Sequence, residues 1–87
     1  MFKIEVVGKP EEKIEKFFKT LCNDEKLKKL GYEMYTLKEN GKIVFVCMGK
    51  STAISIGLKL VKKTLIKAIA DQLKKIGCDA EIKEVKV

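Results

Sequence analysis

The chain has 87 residues, of which 46% are hydrophobic, 19 are basic and 12 are acidic, giving a formal net charge of +7. This length allows one domain, residues 1–87, with a modest core that association with a second copy would help to stabilise. No apolar run approaches about 18 residues and the N-terminus lacks a signal-peptide pattern, so we expect a cytoplasmic protein with no membrane segment.

The positive charge is unevenly distributed along the chain. All 19 basic residues are lysine. Residues 1–41 contain nine lysines and eight acidic residues, whereas residues 42–87 contain ten lysines and four acidic residues. A composition rich in lysine and glutamate is typical of proteins from hot environments, but thermophily does not explain an imbalance between the two halves.

The first half of the chain predicts a strand, a helix and a second strand. Residues 2–7 alternate apolar and charged side chains, as in a strand with one buried face. Pro10 fits the first position of a helix, whose apolar periodicity is interrupted or re-capped at residues 23–24. Gly31 fits a helix C-cap, and the aromatic residues and threonine of residues 32–38 favour a strand.

The second half predicts a hairpin, a long helix and a last strand. Asn40-Gly41 is a strong hairpin signal. Residues 42–48 are apolar on both faces, as expected of a central strand. Residues 51–76 have the pattern of a helix, and residues 80–87 that of a strand.

The element order β-α-β-β-α-β predicts an α+β fold, a two-layer sandwich with two helices on one face of a four-stranded mixed sheet. Two topologies fit this order. One is the split β-α-β, ferredoxin-like arrangement. The other is a β-α-β-α-β core, in which residues 32–38 form an added edge strand.

The segment Gly49-Lys50-Ser51 joins the central strand to the long helix and resembles half of a nucleotide-binding loop. The full motif requires a second glycine five residues earlier, where the chain has Val44, so we do not expect a nucleoside triphosphatase. Two interpretations stay open. Ser51 or Thr52 caps the helix, or the free N–H groups beside Lys50 attract an anion.

The long helix divides into two faces on a helical wheel. The predicted core face contains Ile54, Leu58, Val61, Leu65, Ile69, Leu73 and Ile76. Lys63, Lys67 and Lys74 lie nearly opposite, as either a solvated face or a binding surface. Ile56 and Leu60 also point outward, and Gly57 permits close approach, which predicts a homodimer packed through this part of the helix.

No catalytic or metal-binding group is evident from the residue types. Cys22, Cys47 and Cys78 are odd in number and widely spaced, and the chain has no histidine. We therefore expect buried apolar thiols rather than a zinc site or a disulfide framework. We expect no cofactor and no enzymatic activity, because no nucleophile–base pair is visible.

Three short segments resemble the Alba family of archaeal chromatin proteins. Residues 6–10, VVGKP, are similar to the family's first turn, and residues 49–54, GKSTAI, are similar to the start of its second helix. Residues 77–85 are similar to its following strand. Alba-like proteins are small basic dimers that bind DNA and RNA through these turns. The resemblance implies that Lys9 and Lys50 contact nucleic acid from one end of the sheet.

The leading functional hypothesis is a small basic protein that binds DNA or RNA through phosphates, with little sequence specificity. Lysine pairs with phosphate but cannot make arginine's bidentate contact with guanine, so we expect strongly salt-dependent binding. The candidate phosphate-binding residues are Lys9, Gly49, Lys50, Ser51, Lys63, Lys67 and Lys74. The alternative is a non-catalytic interaction or oligomerisation domain whose lysines reflect thermophily.

Overall fold

A computed structural model of the protein describes residues 1–86. It contains two long helices, one short helix and a four-stranded sheet. In chain order the elements are β1 (Phe2–Lys9), α1 (Glu11–Cys22), α2 (Glu25–Lys29), β2 (Tyr32–Glu39), β3 (Lys42–Gly49), α3 (Thr52–Lys75) and β4 (Asp79–Val85). The α+β fold is therefore confirmed.

The strand order of the sheet is β2-β3-β1-β4, and every neighbouring pair is antiparallel. The prediction of a mixed sheet was wrong. Both β-α-β crossovers do connect parallel strands, but another strand lies between the two members of each pair: β3 separates β1 from β2, and β1 separates β3 from β4. This is the split arrangement rather than a core in which β1 and β3 run parallel.

Alternate strand residues face the helices and build a single core. On the two central strands these are Phe2, Ile4 and Val6 from β1 and Ile43, Phe45 and Cys47 from β3. They pack against Ile14 and Phe18 of α1 and against Leu58, Ile69 and Leu73 of α3. Phe18 and Phe45 are fully buried, with ring centroids 5.2 Å apart. Both long helices therefore cover the same face of the sheet.

The re-capping at residues 23–24 and the Asn40-Gly41 hairpin have the local chemistry that the sequence predicts. Asp24 re-caps the helical region, since its carboxylate accepts hydrogen bonds from the backbone N–H groups of Lys26 and Leu27 at 2.9 and 3.3 Å. The hairpin residues Asn40 and Gly41 have φ values of 50° and 74°, as a type I′ turn requires. Pro10 is the N-cap of α1 rather than its first helical residue.

The core face of α3 is narrower than the helical wheel suggests. Leu58, Ile69 and Leu73 are buried, whereas Val61 is 45% exposed and Ile76 is 40% exposed. Their assignment to the core was wrong. Ile76 is the C-cap residue, past the last helical turn, and Val61 borders an open groove described below. The strand predicted at residues 80–87 ends at Val85, and Val87 lies outside the described residues.

Two of the three thiols are buried, as predicted. Cys47 and Cys78 are 2% and 4% exposed, whereas Cys22 is only half-buried. Burial, and to a smaller extent the neighbouring Cys22, raises the pKa of Cys47 to about 11. An apolar environment of this kind holds the thiol protonated and unreactive at neutral pH.

Candidate nucleic-acid interface

The exposed side of α3 carries most of the protein's excess positive charge. The helix contains six lysines and one aspartate, a net charge of +5 within a total of +7. Four of the lysines, Lys59, Lys63, Lys67 and Lys74, are exposed and form one row along the helix, named here the lysine row. Among the residues that the structure describes, none of these four has a carboxylate within 4.0 Å.

The spacing of the lysine row follows from helix geometry. Lys59, Lys63 and Lys67 succeed one another every four residues, about 6 Å apart along the axis at 1.5 Å per residue. The row from Lys59 to Lys74 is about 22 Å long on the same scale. Nucleotides along one DNA strand rise by about 3.4 Å each, so the row could lie beside roughly six phosphates.

The sequence analysis identified Lys63, Lys67 and Lys74 but not the other three lysines of α3, which are Lys59, Lys62 and Lys75. Lys59 continues the row by one turn toward the helix N-terminus, and its four-residue spacing from Lys63 was a signal available in the sequence. Lys62 lies on the sheet side, where its Nζ is 2.6 Å from Oε1 of Glu84. That pairing depends on the position of β4 and has no local sequence signal.

The backbone around Gly49, Lys50 and Ser51 is held by local hydrogen bonds. Ser51 is the N-cap of α3, and its Oγ accepts from the backbone N–H of Ile54 at 3.3 Å. The backbone N–H of Lys50 donates to the carbonyl oxygen of Gly31 at 2.8 Å. The capping interpretation of Ser51 is thus confirmed, whereas anion binding beside Lys50 stays a prediction.

The structure does not bring Lys9 and Lys50 together. β1 and β3 are antiparallel, with Phe2 opposite Cys47, so the turn after β1 and the turn after β3 lie at opposite ends of the sheet. The seven residue-to-residue steps from Phe2 to Lys9 alone span about 23 Å at 3.3 Å per step. The two turns therefore do not share one end of the sheet, as the family resemblance had implied.

The surroundings of Lys9 are acidic. Lys9 lines a shallow cleft together with Glu11, Glu12 and Glu15 of α1. Lys38 is also in this cleft, with its Nζ 2.6 Å from Oε1 of Glu11, and this carboxylate raises the pKa of Lys38. Three carboxylates beside Lys9 oppose the approach of a phosphate, so α3 offers the more favourable surface.

Next to the lysine row, α3 carries exposed apolar side chains. Ala53, Ile56, Gly57 and Leu60 are named here the apolar ridge. Leu60 is 83% exposed and Ile56 is 55% exposed. A Cβ atom added to Gly57 would have no heavy atom within 4 Å. The ridge is therefore uncovered in the single chain, in the way the predicted dimer interface requires.

On its other side, the apolar ridge borders an open groove. This groove has a volume of about 270 Å³ and lies between α3 and the end of α1 with α2. Phe45 and Cys47 form part of its floor, and Val61 and Leu65 of α3 form one wall. Leu21 and Leu27 contribute to the opposite wall. Its lining is almost entirely apolar, and no local sequence pattern predicts this groove.

Comparison of this chain with family models, with curated proteins and with solved structures finds no match. The resemblance to the Alba family therefore stays a prediction from short segments. Within residues 1–86, no helix is long and apolar enough to cross a membrane. Fold and site together define a small α+β domain with one strongly basic helix.

Proposed function

We propose that this protein binds nucleic acid through phosphate contacts made by the lysine row of α3, as an Alba-like basic dimer. The observation that carries the proposal is the concentration of net charge +5 on one exposed helix. A surface of this kind attracts polyanions and releases counterions when it neutralises phosphates. Lysine recognises the backbone rather than the base edges, so sequence preference is weak.

The dimer of the proposal is formed through Ile56, Gly57 and Leu60. Burial of the exposed Leu60 and Ile56 side chains favours association, and the open space at Gly57 permits two helices to approach closely. The lysine row does not face the groove, because Lys59 and Lys63 lie on the opposite side of α3 from Val61. Pairing two copies would therefore present two lysine rows and strengthen binding to a long polyanion.

The proposal is tested by binding of duplex DNA, single-stranded DNA and structured RNA at several salt concentrations. Unrelated sequences of one nucleic acid type should bind about equally. In the variant Lys63→Gln/Lys67→Gln/Lys74→Gln, the slope of log K against log salt should become shallower by roughly 2–3 units, about 0.9 per lost phosphate contact on duplex DNA.

The matched control replaces three lysines of the charge-balanced N-terminal region. The variant Lys16→Gln/Lys26→Gln/Lys29→Gln changes the net charge equally but leaves α3 intact. Its salt slope should change much less than that of the α3 variant. Equal losses in both variants would show that only total charge matters. No measurable affinity at low salt would reject nucleic-acid binding and favour the alternative function, a protein-interaction domain.

A further inference from the structure

We propose that the groove beside α3 receives the apolar ridge of a second copy of this chain. The two copies are related by a two-fold axis, so each inserts its own ridge and accepts its partner's. The inference rests on the dimer of the proposed function and adds where each ridge goes. In this interface the ridge of each copy lies in the groove of the other copy. The two ridges do not pack against each other.

The first argument is that the ridge and the groove expose complementary shapes. Leu60 is 83% exposed, a convex apolar side chain with almost no cover from its own chain. The groove is concave and reaches core residues, because Phe45 and Cys47 on its floor are 0% and 2% exposed. A single domain gains no stability from leaving either surface in water.

The second argument concerns size. The groove holds about 270 Å³. An apolar cavity of about 150 Å³ is enough to bind benzene, so this groove has room for about two aliphatic side chains. Leu60 and Ile56 are one helical turn apart on the ridge and match that requirement.

The third argument is positional. Leu60 of the ridge and Val61 of the groove wall are consecutive residues of α3. The ridge that inserts and the groove that receives it thus adjoin on the same helix. This arrangement permits a self-complementary, two-fold interface that closes as a dimer. Gly57 lies between them, and the space above it lets the two α3 backbones come close.

The fourth argument concerns charge and distinguishes a second copy from a nucleic acid. Nearly all of the groove lining is apolar, and no side chain there can neutralise a phosphate. Lys59 and Lys63 lie on the opposite side of α3 from Val61, so they do not line the groove. The groove therefore suits the apolar ridge of a second copy and not a phosphate backbone.

The test measures the dimer dissociation constant by sedimentation equilibrium for four proteins. The ridge variant is Leu60→Glu, and the groove variant is Ala68→Trp, which fills the groove at an exposed wall position. Each should raise the dissociation constant by roughly 100-fold or more, because two copies of the contact are lost in every dimer. Thermal melts of each variant establish that it is folded.

The matched control is Leu37→Glu. Leu37 is 45% exposed on the face of the sheet opposite the helices, so the same chemical change is made far from the groove. It should leave the dissociation constant within about twofold. A monomeric wild-type protein at high concentration would overturn the proposal, as would a folded Ala68→Trp variant that dimerises normally.

A mixing experiment tests the ridge-into-groove geometry directly. The Leu60→Glu chain keeps its groove, and the Ala68→Trp chain keeps its ridge, so one contact of the two can form between them. Native mass spectrometry of the mixture should show heterodimer in excess of either homodimer. If the two ridges instead packed against each other, mixing would give no excess of heterodimer. The proposal that the groove receives the ridge would then be wrong.

Failure of this proposal is distinguishable from failure of the proposed function. The variant Lys63→Gln/Lys67→Gln/Lys74→Gln should dimerise at least as well as wild type, because fewer like charges are brought together. The Leu60→Glu monomer should still bind a short duplex with a salt slope similar to that of wild type per chain. A wild-type protein that is monomeric but binds nucleic acid would overturn the ridge-into-groove proposal alone. A wild-type dimer that binds no nucleic acid would overturn phosphate binding by the lysine row alone.

Discussion

Replacing Gly49 by alanine should destabilise the protein markedly, although the change adds one methyl group. Gly49 ends β3 beside the first turn of α3. A Cβ atom there would lie 2.6 Å from the backbone nitrogen of Ser55 and 2.8 Å from the carbonyl carbon of Ile54. Both are backbone atoms of a hydrogen-bonded helical turn, so neither can rotate away. The start of α3 would have to move from the sheet.

The expected cost is that of overpacking a close contact, about 1–3 kcal/mol. For a domain of this size each kcal/mol corresponds to roughly 4–8 °C in Tm, so the melting temperature should fall by at least about 4 °C. Gly57→Ala is the matched control, because the same methyl group meets no atom within 4 Å inside α3. In a monomeric background such as Leu60→Glu, it should stabilise by about 0.5–1 kcal/mol through helix propensity.

The assay is circular dichroism during urea and thermal unfolding, at several protein concentrations to separate folding from association. The difference between the two glycine variants should be roughly 1.5–4 kcal/mol in the free energy of unfolding. Equal effects at Gly49 and Gly57 would refute the reasoning, because the added methyl group meets backbone atoms within 3 Å at Gly49 and no atom within 4 Å at Gly57.

The other predictions concern the helix cap, the thiols and the two turns. Ser51→Ala with Thr52→Ala should lower the free energy of unfolding by about 1 kcal/mol, and unchanged stability in urea titrations would contradict the cap. Native Cys47 should react with a thiol reagent far more slowly at pH 8 than in denaturant, since burial raises its pKa to about 11; comparable rates would contradict its burial. Because the unfolded thiol ionises first, from its ordinary value of 9.0, the stability from a protonated Cys47 should be complete below pH 9 and decline up to about pH 11. The pH titration of stability in Cys47→Ala should lack that part of the decline. Lys9→Ala and Lys50→Ala should not act alike on binding of a duplex shorter than about six base pairs, because the two turns lie at opposite ends of the sheet; equal losses in a fluorescence titration would contradict the separation.

Local sequence signals predicted the elements well because each has a local physical cause. Alternating apolar and charged residues predicted β1, and the Asn40-Gly41 turn predicted the hairpin. Apolar residues at helical spacing, together with the Ser51 cap, predicted α3. The antiparallel character of the whole sheet could not be read this way. It depends on which strand lies between β1 and β2. Contacts between distant parts of the chain determine this, and no local sequence pattern reports it.

The candidate site was predictable in its composition but not in its arrangement. The outward lysines of α3 and the outward Ile56 and Leu60 follow from helix geometry alone. The groove does not, because it depends on the distance between α3 and the end of α1, and that distance is set by the strands on which each helix rests. For the same reason Val61 was assigned to the core, although the groove leaves it open to solvent.

The pairing of β1 with β4 places the two ends of the described chain side by side. Lys3 is opposite Val85, so residues separated by almost the whole sequence are neighbours in the sheet. A short linker could join the ends without disturbing the fold, and the exposed Asn40-Gly41 turn could become the new terminus. Such a circular permutant would turn the most distant strand pairing into a local hairpin. The closure of the longest loop would thereby move from β1 and β4 to β2 and β3, because Glu39 and Lys42 are paired across the opened turn.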